Sequence, residues 1–587
     1  MREKLIELFK NDDVSITYKN IKRSLSINKK HLDDELKTLL KELQLEGILY
    51  EDDDSVFKSV PSNFFVTELK FTRKGLGYVE INDSRLYIDN RDLNGALSFD
   101  KVLISVNQDS TKVVKVIERT FPNLVCEVIM VDGVKKLKVL NSNAPIDIIA
   151  GSMTMKKLKE NDVALFSIAE TKFEGKYDIN YVKTIGKNTD DNIMYDVIAY
   201  SNGFDPTYSN ESYKEIEEMK KTITDEDIEE RMDLRGLRTF TIDEEECRDM
   251  DDAISIRKNR KGYTLYVHIA HVSNYVKIGS SLFNEALKKC TSLYYHNNVI
   301  PMLPEILSKD LCSLNENSDK LARTVIIKFD NDGNLLNYNI VKSVIRSNKK
   351  MDYTSAERVL SGEKLEGYEE YEKDLKILSE LDSKMVSKNH FNLYNIEKDA
   401  TDIAPKFSTH SMIRDFMVMA NHLVALYMLD KPCIYRNHPV PSEKKIRETL
   451  SAIGEFSNNV SNLSAVDSNI LLERLFKTAQ NKDDLLVISS AIFSSLKTAY
   501  YSEYNEGHFS LGFADGYVHF TSPIRRISDL VIGNLLDMYE EKELSEEEVT
   551  KLKEFLKQVA LIASRKERMA ERCQCELEDI SFLTKIK

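Results

Sequence analysis

Apolar positions recur along the chain in distinct rhythms, and each rhythm predicts a different kind of element. Over residues 1–62 the rhythm is helical. Leu32, Leu36, Leu39, Leu40 and Leu43 fall on one face, and Gly47 stands where a left-handed residue would close that helix. ILY and SVFKSV, on either side of the acidic turn Glu51–Asp54, predict a two-stranded wing, so this segment reads as a winged helix–turn–helix domain. Its candidate recognition helix balances acids against bases, which leaves protein contact or packing as open a role as RNA contact. From 63 to 118 the rhythm becomes alternation. KFTRKGLGYVEI and RLYIDNRDL are short β-branched or aromatic runs with glycine turns, and they predict a small OB-type β-barrel. LVCEVIMV, KKLKVL and DVALFSIA predict a second OB-type domain over 119–190. A polar, turn-rich stretch and an acidic helical one follow at 191–230 and read as a linker. From 231 to 587 strands mix with long amphipathic helices, which predicts one large α+β domain.

Composition narrows the setting. The 587 residues are 42% hydrophobic and 30% charged, as expected of a soluble multidomain protein. No apolar run reaches the roughly 18 residues of a membrane span, and MREKLIELFKNDD reads as an amphipathic helix instead of a secretory signal. Seven scattered cysteines lack the second close pair that a zinc site built on Cys573 and Cys575 would need. These features predict reduced thiols and a cytoplasmic, monomeric protein with no membrane contact. The net charge of −14 argues against a general polyanion binder. A local basic groove could still take a phosphate backbone. Phe71, Tyr78 and Tyr87 are interleaved with Lys70, Arg73, Lys74 and Arg85, a mixture that suits stacking on single-stranded nucleic acid. The alternative for each aromatic is a place in the barrel core. No P-loop is present.

The candidate chemistry lies in TIDEEECRDMDDAISI, Thr241–Ile256. Asp243 would end one strand, and Asp249, Asp251 and Asp252 would open the next, with Glu244, Glu245 and Glu246 at an exposed tip. Carboxylates converging from a short arc suit hard divalent cations, which prefer oxygen ligands and share phosphate oxygens. Two such ions about 4 Å apart can serve both the attacking and the leaving oxygen of a phosphodiester displacement. A solvated acidic loop or a calcium site remains the alternative, although the EF-hand pattern is not met. A second signal is HFTSPIRRISDLVIGNLL, His519–Leu536. Ser522 is predicted to cap a helix that starts at Pro523, with Ile524, Ile527, Val531 and Leu535 as its buried stripe. Arg525 and Arg526 would then sit in the first turn, against the helix dipole. That placement makes sense if they face a phosphate, or if each pairs with a nearby acid.

These stretches resemble the ribonuclease II / ribonuclease R family of RNB-type exoribonucleases. The likeness runs in order through MDLRGLRTFTIDEEECRDMDDAI, HIAHVSNYVKIGSSL, TSLYYHNNVIPMLPEILSKDLCSLN, FMVMANHLVA, YRNHPVPSEKKI, GYVHFTSPIRRISDL and RMAER, over roughly 231–580. The pattern is closer to ribonuclease R than to ribonuclease II. The resemblance implies helix–turn–helix and cold-shock-like OB domains ahead of an RNB catalytic domain at 231–587. It also implies processive, hydrolytic 3′→5′ degradation of single-stranded RNA to nucleoside 5′-monophosphates. Mg²⁺ is the expected cofactor, as one or two ions, with Mn²⁺ able to substitute. By motif position Asp243, Asp249, Asp251 and Asp252 become the metal acids, with Asp251 the most sensitive for chemistry and Asp252 beside it. Arg525 becomes the phosphate-holding residue and Arg526 a further RNA contact. Tyr294, Tyr394 and Glu571 become contacts to the terminal nucleotides, and Tyr353 a contact to a base or to the RNA backbone.

The chain also departs from the family pattern. It stops at Lys587, where the family usually continues into another OB-type domain, so weaker grip on RNA is expected. His271 and His422 stand where acids are common, Ile527 replaces an aromatic, and IGNLL lacks a His–Arg pair. Two other readings stand beside the exoribonuclease: a non-catalytic RNA-binding or regulatory protein on the same scaffold, and a phosphodiesterase for short oligoribonucleotides.

Overall fold

A computed structural model describes residues 1–10, 15–27, 29–52, 55–72, 75–81, 84–107, 110–120, 123–140, 146, 148–173, 176–295, 298–386, 408–452 and 481–586. Lys74 and Tyr394 lie outside the described residues. The chain divides into two compact units, Met1–Asp205 with Cys575–Lys587, and Pro206–Gln574. Among the described residues no helix is long and apolar enough to cross a membrane.

The first unit begins with helices Arg2–Leu8, Tyr18–Ser24 and Lys30–Leu45 beside a three-stranded sheet of Ser15–Thr17, Val56–Ser59 and Leu49–Glu51. The expected leucine face is buried: Leu36, Leu40 and Leu43 join Leu5, Ile21 and Leu49 in one core. Gly47 follows the third helix at φ +72, a conformation glycine adopts without Cβ strain. Residues 64–118 form two three-stranded sheets around a shared core of Leu69, Val79, Ile88, Val102 and Ile104. Residues 123–187 form a five-stranded sheet in which Ile148–Ala150 pairs in parallel with Lys176–Lys187.

The segment read as a linker is largely ordered into helices. Ile193–Ser201 lays Ile193 and Val197 against Val125, Val163 and Leu165 of the first unit. Asn210–Glu218 buries Ile216 in the core of the second unit. Even their acids are partly drawn in: Asp196 is half-buried, and Glu215 accepts the Leu282 N–H at 3.0 Å.

The second unit is built on a seven-stranded sheet. Its strands are β1 (Met232–Asp233), β2 (Phe240–Asp243), β3 (Asp252–Asn259), β4 (Gly262–Ala270), β5 (Asp319–Phe329), β6 (Leu335–Arg346) and β7 (Lys349–Asp352), in the order β1-β6-β5-β4-β3-β2-β7. The β3–β4 hairpin turns on Gly262, at φ +138, where a Cβ would lie 2.0 Å from the Phe329 carbonyl oxygen. Helix Ile527–Glu541 is buried on nearly every side and packs Gly533 against Ser273.

An ionic network ties that helix to the sheet. Arg323 of β5, 1% exposed, donates through Nη2 to Asp537 Oδ1 at 2.6 Å and through Nη1 to Glu540 Oε1 at 2.5 Å. Ser273 Oγ donates to Asp537 Oδ2 at 2.7 Å. His271 places Nε2 2.9 Å from Asp537 Oδ1 and Nδ1 2.8 Å from Arg231 Nη1. Burial holds its pKa down at about 4, so the neutral ring donates to Asp537 and accepts from Arg231. The histidine that departs from the family pattern is thus a structural bridge. Replacing Arg323 by Met removes the buried partner of Asp537 and Glu540 but leaves Lys342 3.6 Å from each, so it should cost about 1–3 kcal/mol in denaturant melts, the range for losing hydrogen bonds to a charged group.

Candidate active site

Local sequence explains why four aspartates meet. Phe240 of β2 pairs antiparallel with Ile254 of β3, and continuing that register brings Asp243 towards Asp251. The turn between them is fixed by its apolar anchor: Met250 is 3% exposed, its N–H donates to Ser313 Oγ at 3.0 Å, and its carbonyl accepts from Leu314. Glu244, Glu245 and Glu246 are exposed, as the sequence predicted. The acids are drawn inward.

Asp251 is 4% exposed. Its Oδ1 accepts the Ile524 N–H at 2.7 Å, and its Oδ2 lies 3.4 Å from Arg525 Nε. Asp249 Oδ2 accepts from the Tyr294 hydroxyl at 2.7 Å. Cys247 Sγ lies 3.5 Å from Asp249 Oδ1 and 3.9 Å from Asp243 Oδ1. Burial first, then the neighbouring carboxylates Asp252 and Asp249, push Asp243 up to about 8. Burial raises Asp252 to about 6, with Arg525 opposing the rise. Asp251 is driven well above the ordinary carboxylate value, again chiefly by burial and again opposed by Arg525. Each of these carboxylates that raises the pKa of another does so by like-charge repulsion, which a cation among them would relieve.

The fit to a divalent ion rests on two atoms. Asp243 Oδ2 and Asp251 Oδ2 are buried and have no hydrogen-bond partner. Native proteins rarely leave such oxygens unsatisfied without a functional reason. Among the described residues no group of three or more His, Cys, Asp or Glu side chains is disposed to hold a metal ion as it stands. The fit is therefore one of donor chemistry: carboxylate oxygens are what a hard cation binds together with water and phosphate oxygens.

Arg525 and Arg526 arrive by a route the sequence did not predict. The helix begins at Ile527, not Pro523, with Arg526 in extended conformation at its N-cap. Tertiary pairing overrides the Ser-Pro start signal. Ser292 N–H donates to the Arg525 carbonyl, Ile527 N–H donates to the Cys290 carbonyl, and Thr291 bridges Arg526. Asp529 completes the turn by accepting from Ser522 N–H at 2.8 Å and from Arg526 Nη2 at 2.7 Å. The two arginines consequently part company. Arg526 is committed to Asp529. Arg525 keeps a half-exposed side chain, with Nη2 on Ser522 Oγ at 2.9 Å and Nε beside Asp251.

Tyr353, at the start of helix Tyr353–Leu360, stacks on His410 with ring centroids 3.7 Å apart. Burial, then Asp252 and Asp243, raise its phenol, which places it beside the acids. Glu571 has Glu567, Arg436 and Arg568 as charged neighbours, and burial and Glu567 raise it. In the first unit Tyr78 and Tyr87 are cross-strand partners with rings 6.2 Å apart, and Arg85 lies 5.1 Å over the Tyr78 ring. Tyr87 is 53% exposed. Phe71 instead packs against the small core, the alternative that the sequence had left open for it. Sequence reasoning missed Lys350, Cys247 and His410. Cys247 lies within the acidic stretch and Lys350 shortly before Tyr353, whereas His410 meets Tyr353 only in space and carries no linear signal.

The class defined by this sheet and acidic turn is the RNB domain. Residues 231–542 match that family model, and the chain belongs to the RNB-domain family. Within it, the likeness is to ribonuclease R. The Aquifex aeolicus ribonuclease R is 30% identical over 539 residues, covering 87% of this chain and 75% of that protein. The Mycoplasma genitalium RNase R, solved with ribose-methylated single-stranded RNA, shares the fold at a TM-score of 0.76 and 24% identity, covering 88% of this chain and 86% of that one. Yeast Ssd1, described as a pseudonuclease, shares the fold at 0.68 and 17% identity, covering 88% and 73%.

Proposed function

We propose that the protein is a hydrolytic 3′→5′ exoribonuclease that shortens single-stranded RNA to nucleoside 5′-monophosphates, processively and with Mg²⁺. The observation that carries this reading is the pair of buried carboxylate oxygens on Asp243 and Asp251 that accept no hydrogen bond, with Arg525 beside Asp251. Kinship with ribonuclease R supplies the substrate class. Asp243, Asp249, Asp251 and Asp252 would hold one or two ions. Such ions supply positive charge shared with the scissile phosphate and ease deprotonation of the attacking water. Arg525 offers its free edge to the phosphate, a fixed guanidinium where negative charge develops in the transition state. Tyr294 and Tyr353 flank the acids and would align the terminal nucleotide, converting binding into orientation. The winged-helix-like segment and the two OB-type, cold-shock-like domains would guide the strand. The Tyr78–Tyr87–Arg85 face, with Tyr87 exposed, would offer bases a surface to stack on.

A second reading is an RNA-binding protein that does not cut, the condition named for yeast Ssd1. The intact acid set favours cleavage. A 5′-labelled single-stranded RNA, incubated with Mg²⁺ and then with chelator, separates the readings. The exoribonuclease leaves full-length RNA and a short limit product without a ladder, and stops when the ion is removed. A binder retards the RNA and shortens nothing. A phosphodiesterase for short oligoribonucleotides turns over short oligomers only.

Tyr294 offers a finer test. Tyr294→Ala should lengthen the limit product with less effect on rate, whereas Tyr294→Phe keeps the ring, loses the bond to Asp249, and should preserve product length. An unchanged product in the alanine variant removes Tyr294 from the clamp.

A further inference from the structure

The acid-bearing turn is pinned at both ends, and the two pins differ in kind. Its later half is held by neutral groups: Ser313 Oγ donates to the Arg248 carbonyl at 3.0 Å and accepts from Met250 N–H. Its earlier half is held by an ammonium. Lys350 Nζ donates to the Cys247 carbonyl at 2.5 Å and to the Glu245 carbonyl at 3.0 Å. Lys350 reaches this position through the parallel pairing of β2 with β7, in which Thr241 faces Lys350 and Asp243 faces Asp352. Side chains alternate along a strand, so Lys350 shares a sheet face with Asp243. Its charge acts on Asp243 directly.

Lys350 is half-buried, and an ammonium is more than two turn carbonyls require, since a serine or asparagine could donate to them without a charge. The charge gains its use from the carboxylates nearby. Repulsion between Asp243 and Asp249 tends to spread the turn that joins them, and a cation anchored at Glu245 and Cys247 opposes that spreading from within.

We propose that Lys350 is a positioning residue of the cation site: it bolts the Glu244–Arg248 turn to β7 and keeps Asp243 and Asp249 facing each other before an ion arrives. This inference rests on the proposed function of the same site. Such outer contacts orient the ligands without touching the ion, and their removal typically weakens metal binding about 10- to 100-fold.

The test compares Lys350→Met and Lys350→Arg with the full-length wild type. Mn²⁺ binding is read by the loss of its free electron-paramagnetic signal, without turnover, and RNA affinity is read by anisotropy in chelator. In Lys350→Met the Mn²⁺ dissociation constant should rise about tenfold, with RNA affinity unchanged, and Lys350→Arg should recover most of the loss. An unchanged Mn²⁺ constant in the Met variant overturns the proposal, as does a parallel loss of RNA affinity, which would make Lys350 an RNA contact. If Lys350→Met does not fold, Lys350→Gln takes its place. It keeps a donor for one carbonyl but no charge, and wild-type Mn²⁺ affinity in it overturns the proposal equally. A wild type that binds no Mn²⁺ overturns the proposed function itself.

Discussion

Asp251→Asn should abolish RNA cleavage and, in chelator, make the protein more stable than the wild type. The two effects share a cause. Asparagine keeps an oxygen to accept the Ile524 N–H and removes a carboxylate whose Oδ2 is buried without a hydrogen bond. Activity falls because several kcal/mol of transition-state charge stabilisation disappear, about a thousandfold or more in rate. RNA binding stays largely intact, since the ion matters more to the transition state than to holding a long strand. Stability in chelator rises by about 1 kcal/mol, the usual gain when a functional site is relieved of strain. The gain depends on pH in a defined sense. Burial raises Asp251 in the folded state, so the folded protein binds this proton more readily than the unfolded chain does. Its charge therefore costs stability as pH rises, and the cost vanishes as pH falls to the ordinary carboxylate value. The advantage of Asp251→Asn should be largest in mildly alkaline buffer and should close on acidification. Urea melts in chelator across that range check it. Near-normal cutting by the variant would show the site to be misassigned.

Arg525→Ala should slow cleavage about 100- to 1000-fold, the cost of removing one fixed donor from a developing oxyanion. Arg525→Lys should recover only part of the rate, because an ammonium cannot hold Ser522 Oγ, Asp251 and a phosphate with one planar fork. The stability effect runs opposite to that of Asp251→Asn. Arg525 offsets the charge of Asp251 and Asp252, so its loss should destabilise the protein in chelator. Cleavage rates measured over a range of RNA concentrations up to saturation, with melts alongside, test both halves. A rate loss confined to KM would make Arg525 a binding residue only.

The aspartates were legible in the sequence because they lie within one turn, and a turn between two strands has few geometries. Arg525 was legible as a residue but not in its setting. The Ser-Pro signal favours a helix start at Pro523, yet pairing with 290–292 and the reach of Asp529 delay the helix to Ile527. Local propensity lost to partners remote in the chain. Lys350 was invisible for a related reason. It joins the turn through parallel pairing of strands roughly a hundred residues apart, and parallel pairing leaves no local signature. Within the segment read as a linker, its many polar and acidic residues outweighed the few apolar ones of Ile193–Ser201 and Asn210–Glu218 that pack. His271 could be flagged as unusual, but its neutral bridge between Arg231 and Asp537 needs the helix Ile527–Glu541 in place.

The account stands on a cation drawing the buried acids together, and crystals soaked in Mn²⁺ examine that directly by anomalous scattering. Anomalous density bonded to carboxylate oxygens of Asp243 and Asp251, and absent from crystals of the Asp251→Asn variant, is the expected result. Crystals of protein that cleaves RNA in Mn²⁺, yet show no such density beside these aspartates, would contradict it.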